Sequence, residues 1–141
     1  MNIRAAILAA FALLPQAAFA EGFLVGRMEK VPDLTLNTGE AGFEFEPKEP
    51  IQLETGKGYR WWIKGTGEQE CAFRAPGFFE NVWFRKIEVN KVELKIWGIH
   101  EIEFEREGAA ELFFTPIRPG EYTWECKGLA DKGLTGKINV K

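Results

Sequence analysis

RPGEYTWECKGLADKGLTGKINVK is the sequence of residues 118–141, and it is the stretch that decides the fold. Its proline-glycine pair predicts a turn. Tyr122, Trp124 and Cys126 then alternate with polar residues, which is typical of a strand with one buried face. Because side chains alternate between the two faces of a strand, the Cys126 sulfur is predicted to lie on the aromatic, inward side. A glycine-rich loop follows, and residues 137–141 predict another strand.

The chain upstream of this stretch shows the same short-period pattern. From Phe43 onward, short alternating segments are separated by glycine and proline, and no segment keeps a helical period for three turns. The segments that predict strands lie at 43–45, 51–53, 59–63, 82–84, 92–96, 102–104, 111–114, 122–126 and 138–140. About eight short strands at this spacing predict an all-β protein, a Greek-key β-sandwich. One short helix is predicted near Phe78 to Trp83.

The N-terminal residues have the parts of a secretory signal peptide. Arg4 precedes an apolar stretch at 5–14, and Ala18 and Ala20 supply small residues at the cleavage positions. The apolar stretch is far shorter than the roughly 20 residues that span a bilayer, so a retained membrane anchor is the less favoured alternative. We therefore predict a signal peptide at 1–20 and export, into the periplasm if the source is Gram-negative.

The chain after the predicted signal peptide is long enough for one domain with a modest core. Residues 21–42 are predicted to form an N-terminal strand and a connection. Residues 43–141 are predicted to form the main domain. No later segment is long and apolar enough to span a membrane.

The composition excludes several classes of function. The chain has 18 basic and 21 acidic residues, and a net charge of -3 argues against binding to nucleic acid. It contains no serine and a single histidine, His100, so serine nucleophiles and sites that need several imidazoles are excluded. It also lacks a phosphate loop and the HExxH and CxxC motifs. We therefore expect a protein that is not an enzyme.

The loop after Cys126 resembles the copper-binding loop of the cupredoxins, the family of small blue copper proteins. In that family a histidine follows the cysteine by three residues, and a methionine follows five residues later. Here those two positions hold Leu129 and Leu134, so the spacing is kept and the donor atoms are absent. The resemblance covers roughly residues 43–141 and implies a cupredoxin-like sandwich. A type 1 centre needs two imidazoles, a thiolate and usually a weak axial sulfur, so it is not expected here.

A second segment resembles the cupredoxin turn that supplies the upstream histidine. The turn corresponds to Gly65-Thr66-Gly67, and the ligand position, two residues before Phe73, is occupied by Cys71. Because both positions serve one metal ion in the family, the resemblance implies that Cys71 and Cys126 are neighbours in space. Two neighbouring cysteines in an oxidising compartment are expected to form a disulfide, which contributes roughly 2–4 kcal/mol to stability.

An alternative leaves the two thiols free. A histidine reaches its metal with a longer arm than a cysteine, so strands spaced for histidine would hold the Cα atoms beyond the roughly 7 Å that a disulfide tolerates. Two thiolates in an apolar pocket suit Cu(I), and Glu70 and His100 are weaker candidates for additional donors. The chain would then be an electron-transfer or Cu(I)-handling protein, linked to copper or ferrous-iron uptake.

The favoured expectation is a copper-free accessory protein without a cofactor. The resemblance implies that it binds a periplasmic or membrane-associated protein partner in metal uptake or respiration. An aromatic cluster beside basic residues is expected to be mostly core, and any exposed member would mark a docking patch. The aromatic members are Phe73, Phe78, Phe79, Trp83 and Phe84, and the basic residues are Arg74, Arg85 and Lys86.

His100 precedes a run of glutamates at every second position, Glu101, Glu103, Glu105 and Glu107. The favoured interpretation of this run is a solvated strand face. The alternative is a surface patch for a metal or a partner.

Overall fold

The protein is an all-β sandwich, as predicted. The computed structural model describes residues 26–141, so the predicted signal peptide lies outside the described residues. The strands are β1 (Glu29–Lys30), β2 (Leu34–Thr38), β3 (Glu44–Glu46), β4 (Ile51–Leu53), β5 (Tyr59–Gly65), β6 (Cys71–Arg74), β7 (Val82–Val89), β8 (Val92–Leu94), β9 (Ile102–Phe104), β10 (Gly108–Pro116), β11 (Gly120–Cys126) and β12 (Thr135–Val140). A helical turn, α1 (Pro76–Phe79), precedes β7, and a 3-10 turn, η1 (Ala130–Lys132), precedes β12.

Sheet 1 has seven strands in the order β3-β2-β5-β10-β7-β8, with β1 also paired to β5. β2 runs parallel to the end of β5 with Leu34 opposite Ile63, and β1 runs parallel to the start of β5 with Glu29 opposite Tyr59. The strand predicted within residues 21–42 is therefore part of this sheet. The sandwich includes strands on both sides of residue 43.

Sheet 2 has five strands in the order β4-β12-β11-β6-β9. In its centre β11 and β12 are antiparallel, with Trp124 opposite Gly136. A Cβ atom at Gly136 would lie 2.6 Å from Nε1 of Trp124, so the indole ring can lie across this strand only because position 136 is glycine. β4 and β9 are the two edge strands.

Aromatic side chains fill the space between the sheets. Phe73 lies at the centre of this core, with its ring centroid 5.9 Å from that of Trp61 and 5.5 Å from that of Trp124. Phe45 meets Trp124 edge-on at 4.8 Å. Aromatic pairs at such distances contribute about 0.5–1.5 kcal/mol each beyond their buried area. The core therefore joins the two sheets through one continuous aromatic cluster.

Two strands and the position of the helix differ from the sequence predictions. β1 has only two residues, and β6 has four with successive apolar side chains, so neither shows a clear alternation. The helix begins at Pro76, which suits the first helical turn, and ends at Phe79. The predicted span Phe78 to Trp83 was wrong because β7 already begins at Val82. Neither helix within residues 26–141 has the length and apolar character that a membrane crossing requires.

Candidate functional site

Cys71 and Cys126 form a disulfide, which confirms the favoured prediction. Their Cα atoms are 5.0 Å apart, well within the roughly 7 Å limit for a disulfide. Both residues are fully buried in the core cluster. The free-thiol alternative required a wider spacing between the strands, and these strands do not have it.

Backbone pairing between β6 and β11 brings the two cysteines together. Cys126 lies opposite Phe73, which is two residues beyond Cys71 on β6. The Lys127 N–H donates a hydrogen bond to the Ala72 carbonyl at 3.0 Å, which extends the pairing past the end of β11. The cysteines are thus diagonal neighbours on the core side of sheet 2.

The loop after Cys126 folds back on itself through backbone hydrogen bonds. The Leu129 N–H donates to the Cys126 carbonyl at 2.9 Å, and the Cys126 N–H donates to the Leu134 carbonyl at 3.0 Å. Gly133 has a φ of 103°, a conformation in which a side chain would be strained. Leu134 is fully buried, and Leu129 packs half-buried against the same core. Both ligand-like positions therefore add hydrocarbon to the core that contains the disulfide.

The donor atoms of this site do not fit a type 1 copper ion. The two sulfur atoms are bonded to each other, and the leucine side chains at 129 and 134 carry no lone pair. A thiolate is the form of cysteine that binds metal, and a disulfide supplies none. Within residues 26–141, no three His, Cys, Asp or Glu side chains come together as a metal site.

The two weaker donor candidates lie outside the buried site. Glu70 adjoins Cys71 in sequence and is exposed to solvent. His100 is 80% exposed in the connection between β8 and β9. In β9, Phe104 is opposite Cys71 and Ile102 is opposite Phe73, so His100 precedes the end of β9 that is farther from the disulfide.

The predicted aromatic cluster is core with one exception. Phe73, Phe78, Phe79 and Phe84 are buried, and Trp83 is 43% exposed. The basic residues predicted beside this cluster do not form one patch. Arg74 lies 3.1 Å from Glu125 on sheet 2, whereas Lys86 pairs with Glu88 and Glu93 on sheet 1. Only Trp83 remains as a candidate docking residue from this cluster.

Glu111 is a buried carboxyl group on the outer face of sheet 1 that sequence reasoning missed. It is opposite Glu88 on β7, and its nearest cation is the Arg60 guanidinium, 3.9 Å from its Oε1 atom. Burial raises the pKa of Glu111 above its ordinary value, and Arg60 opposes that shift. A single glutamate in a mostly apolar strand gave no signal for this environment.

Replacing Glu111 with glutamine is expected to weaken the pH dependence of stability. A carboxyl group with a raised pKa in the folded state stabilises the fold below its ordinary pKa of 4.5, and that contribution is lost as the pH rises through the raised value. Urea unfolding of Glu111→Gln at mildly acidic and at neutral pH should show a smaller loss of stability with rising pH than the native chain shows. Exposed Glu121→Gln is the control, and an equal slope for native and Glu111→Gln proteins would contradict the expectation.

Comparisons with known proteins support the fold. No protein-family model and no curated protein sequence matches the chain. A laccase from Pediococcus acidilactici is 11% identical with a TM-score of 0.61, over 82% of this chain and 27% of that one. A Cu-containing nitrite reductase from Thermus scotoductus is 17% identical with a TM-score of 0.58, over 81% of this chain and 30% of that one.

A third similar structure is a copper nitrite reductase from Nitrosomonas europaea. It is 10% identical with a TM-score of 0.55, over 82% of this chain and 49% of that one. The chain thus spans between about a quarter and half of the length of these three structures. The neighbours have the cupredoxin fold, and the chain has that fold too.

Proposed function

We propose that this chain is an exported periplasmic protein of cupredoxin fold that has lost the type 1 copper centre and acts as a partner-binding accessory in metal uptake or respiration. The disulfide is the observation that carries the proposal. Cys71 and Cys126 occupy the positions that resemble metal-donor positions, and each sulfur is bonded to the other. The other two such positions hold Leu129 and Leu134, which belong to or pack against the same apolar core as the two cysteines.

Two features support export to an oxidising compartment. The N-terminal sequence has the pattern of a cleavable signal peptide. A disulfide persists in the periplasm, whereas cytosolic reductants keep thiols reduced. Both features support a role outside the cytoplasm.

Exposed apolar side chains support a binding role. Five large apolar residues are exposed by 43% or more, namely Trp83, Val92, Leu94, Trp97 and Ile117. Exposed apolar residues that cluster mark protein interaction sites more often than chance, and Val92, Leu94 and Trp97 fall within six consecutive residues. Because the positions that resemble a metal site are buried in the core, we expect the protein to bind its partner through such an exposed surface.

A copper-handling role of the reduced protein is the second candidate, because two close cysteines freed by reduction would be near enough to bind one ion. Reduction of the disulfide would leave two thiols on Cα atoms 5.0 Å apart in an apolar surrounding. Thiolates are soft ligands that suit Cu(I). This role therefore requires a reduced pair, which makes the redox state the decisive measurement.

The intact mass of the protein, purified without reductant, is expected to show no alkylation after denaturation with chelator and a thiol reagent. A Cu(I) titration of the same oxidised protein against a competing chelator should show no stoichiometric binding, because no thiolate is available. The matched controls are the protein reduced before alkylation, which should take two labels, and the Cys126→Ala variant. Two labels without prior reduction, together with one Cu(I) per chain that is lost in Cys126→Ala, would replace this proposal with the copper-handling role.

A further inference from the structure

The apolar residues of β8 lie on the core side of sheet 1 and yet are exposed. Val92 is opposite Val89, and Leu94 is opposite Ile87, which is buried in the core. Side chains of directly opposed residues in an antiparallel pair project to the same face, so Val92 and Leu94 face the side on which sheet 2 packs. They are nevertheless 57% and 45% exposed. Sheet 2 therefore does not cover β8.

Sheet 2 ends at β9, and β9 has a free edge. β9 pairs with β6 along one side only, and no backbone hydrogen bond within residues 26–141 reaches its other side. An edge strand of this kind presents unpaired N–H and C=O groups that another strand can join. Among the described residues, sheet 2 thus has no strand that would pack over the apolar face of β8.

An open groove of about 460 Å³ lies between β9 and the end of β7. Its apolar lining includes Val89, Ile102 and Phe104, together with two alanines of β10. Val89 is also the cross-strand neighbour of the exposed Val92, so the groove leads directly to the uncovered part of β8. Apolar side chains from an added strand would have space there.

The rim of this groove is acidic. Glu103, Glu105 and Glu107 line it together with the single cation Arg106. Within the described part of the chain, none of these three glutamates lies within ion-pair distance of a basic group. Because Ile102 and Phe104 pack inward, the alternate residue Glu103 projects outward from the same strand. A strand paired with β9 would place its own outward side chains beside these carboxylates.

We propose that the β9 edge accepts a β-strand of a partner protein in which basic and apolar side chains alternate. The apolar side chains of that strand fill the groove and cover Val92 and Leu94, and its lysines or arginines face Glu103 and Glu105. Trp97, in the connection from β8 to β9, adds an exposed indole next to this surface in sequence. The inference rests on the proposed partner-binding function and names the surface and the chemistry of the partner.

A second copy of this chain is a poor occupant of the edge. Two β9 strands related by a two-fold axis would bring glutamates of one copy close to glutamates of the other. Like charges across a strand pair are destabilising, and charged edge residues are a common means of preventing self-association. The same glutamates that disfavour a second copy favour a basic strand.

The test is an NMR titration of the isotope-labelled, oxidised protein with a short capped peptide of alternating lysine and valine. Amide resonances at residues 101–107 and 89–94 are expected to shift, and amide exchange along β9 is expected to slow. A matched peptide of alternating glutamate and valine should leave the spectrum unchanged. Shifts confined to other surfaces, equal binding of both peptides, or no binding at millimolar peptide would overturn the inference.

Charge-reversed variants identify the residues responsible. The Glu103→Lys/Glu105→Lys double variant is expected to bind the lysine-valine peptide about tenfold more weakly or worse, because each reversal turns an attraction into a repulsion. Glu121→Lys, on the outer face of the same sheet, is the control and should bind as the native protein does. Undiminished binding by the double variant would overturn the inference, and so would self-association of the protein through β9 in sedimentation experiments.

The outcome is distinguishable from the test of the proposed function. Copper binding by the oxidised protein would remove the proposed function whatever the peptide does. Failure of the peptide to bind, in a protein that carries the disulfide and binds no copper, would remove only the strand-addition surface.

Discussion

Removing the Cys71–Cys126 disulfide is expected to lower the free energy of unfolding by about 4 kcal/mol. The cysteines are 55 positions apart, and a cross-link that closes a loop of this length restricts the unfolded chain by about that amount at 25 °C. Both residues are buried in the core, so their replacement also changes packing there. For a domain of this size, a loss of 4 kcal/mol is a large part of the total stability.

The measurement compares urea unfolding of the native chain and of Cys71→Ala/Cys126→Ala, each with and without reductant. Reductant should destabilise the native chain and leave the double variant unchanged, which separates the disulfide from general effects of the reagent. If reductant lowers the free energy of unfolding of the native chain by less than the double substitution does, the difference measures the packing contribution of the sulfur atoms. A double variant as stable as the oxidised native chain would contradict the expected role of the cross-link.

The disulfide was predictable from the sequence because two local patterns converge on it. The spacing after Cys126 and the turn before Cys71 each resemble one donor segment of a cupredoxin, and in that family the two segments meet at one metal ion. The structure brings the two cysteines to a Cα separation of 5.0 Å. The strand separation itself was not predictable, since it depends on how β6 and β11 pair and not on either segment alone.

The uncovered face of β8 was not predictable from the sequence. Its alternation of Val92 and Leu94 indicates a strand with one apolar face, and that much is confirmed. Alternation tells which side chains share a face, but it carries no information on whether another sheet lies opposite. The exposure of these residues follows from the end of sheet 2 at β9, which is a property of the whole sandwich.

The burial of the Glu111 carboxyl group was likewise not predictable from the sequence. A glutamate at an outward position of a strand is ordinarily solvated, and nothing in the neighbouring sequence indicates otherwise. Its burial arises from neighbours on other strands, including Arg60 on β5 and Glu88 on β7. Which residues are neighbours on adjacent strands can be identified only when the strand register is known.

A closed disulfide and an open edge strand together suggest where function lies in this fold. The end of the sandwich that resembles a metal site is filled by sulfur bonded to sulfur and by Leu134. Within residues 26–141, by contrast, the β9 edge keeps unpaired backbone, an apolar groove and three glutamates outside ion-pair distance of any basic group. The proposed binding surface is therefore the edge strand, and the disulfide links its neighbour β6 to β11.

Trp124→Ala is expected to destabilise the fold by about 3–5 kcal/mol, the range for removal of a large aromatic side chain from a core. The Trp124 indole contacts the rings of Phe45 and Phe73 and lies over Gly136, where any side chain would collide with it. Its loss leaves a cavity between the two sheets next to the disulfide strand. Urea unfolding monitored by circular dichroism measures the change.

Trp97→Ala is the matched control, because it removes the same side chain from a fully exposed position. Its expected effect on the free energy of unfolding is within about 0.5 kcal/mol, since an exposed indole makes few contacts to lose. An exposed indole that adds nothing to folding still presents apolar surface to water. Burial of that surface against a partner would stabilise the complex. Equal destabilisation by both substitutions would mean that Trp97 is packed in solution and would remove it from the proposed docking surface.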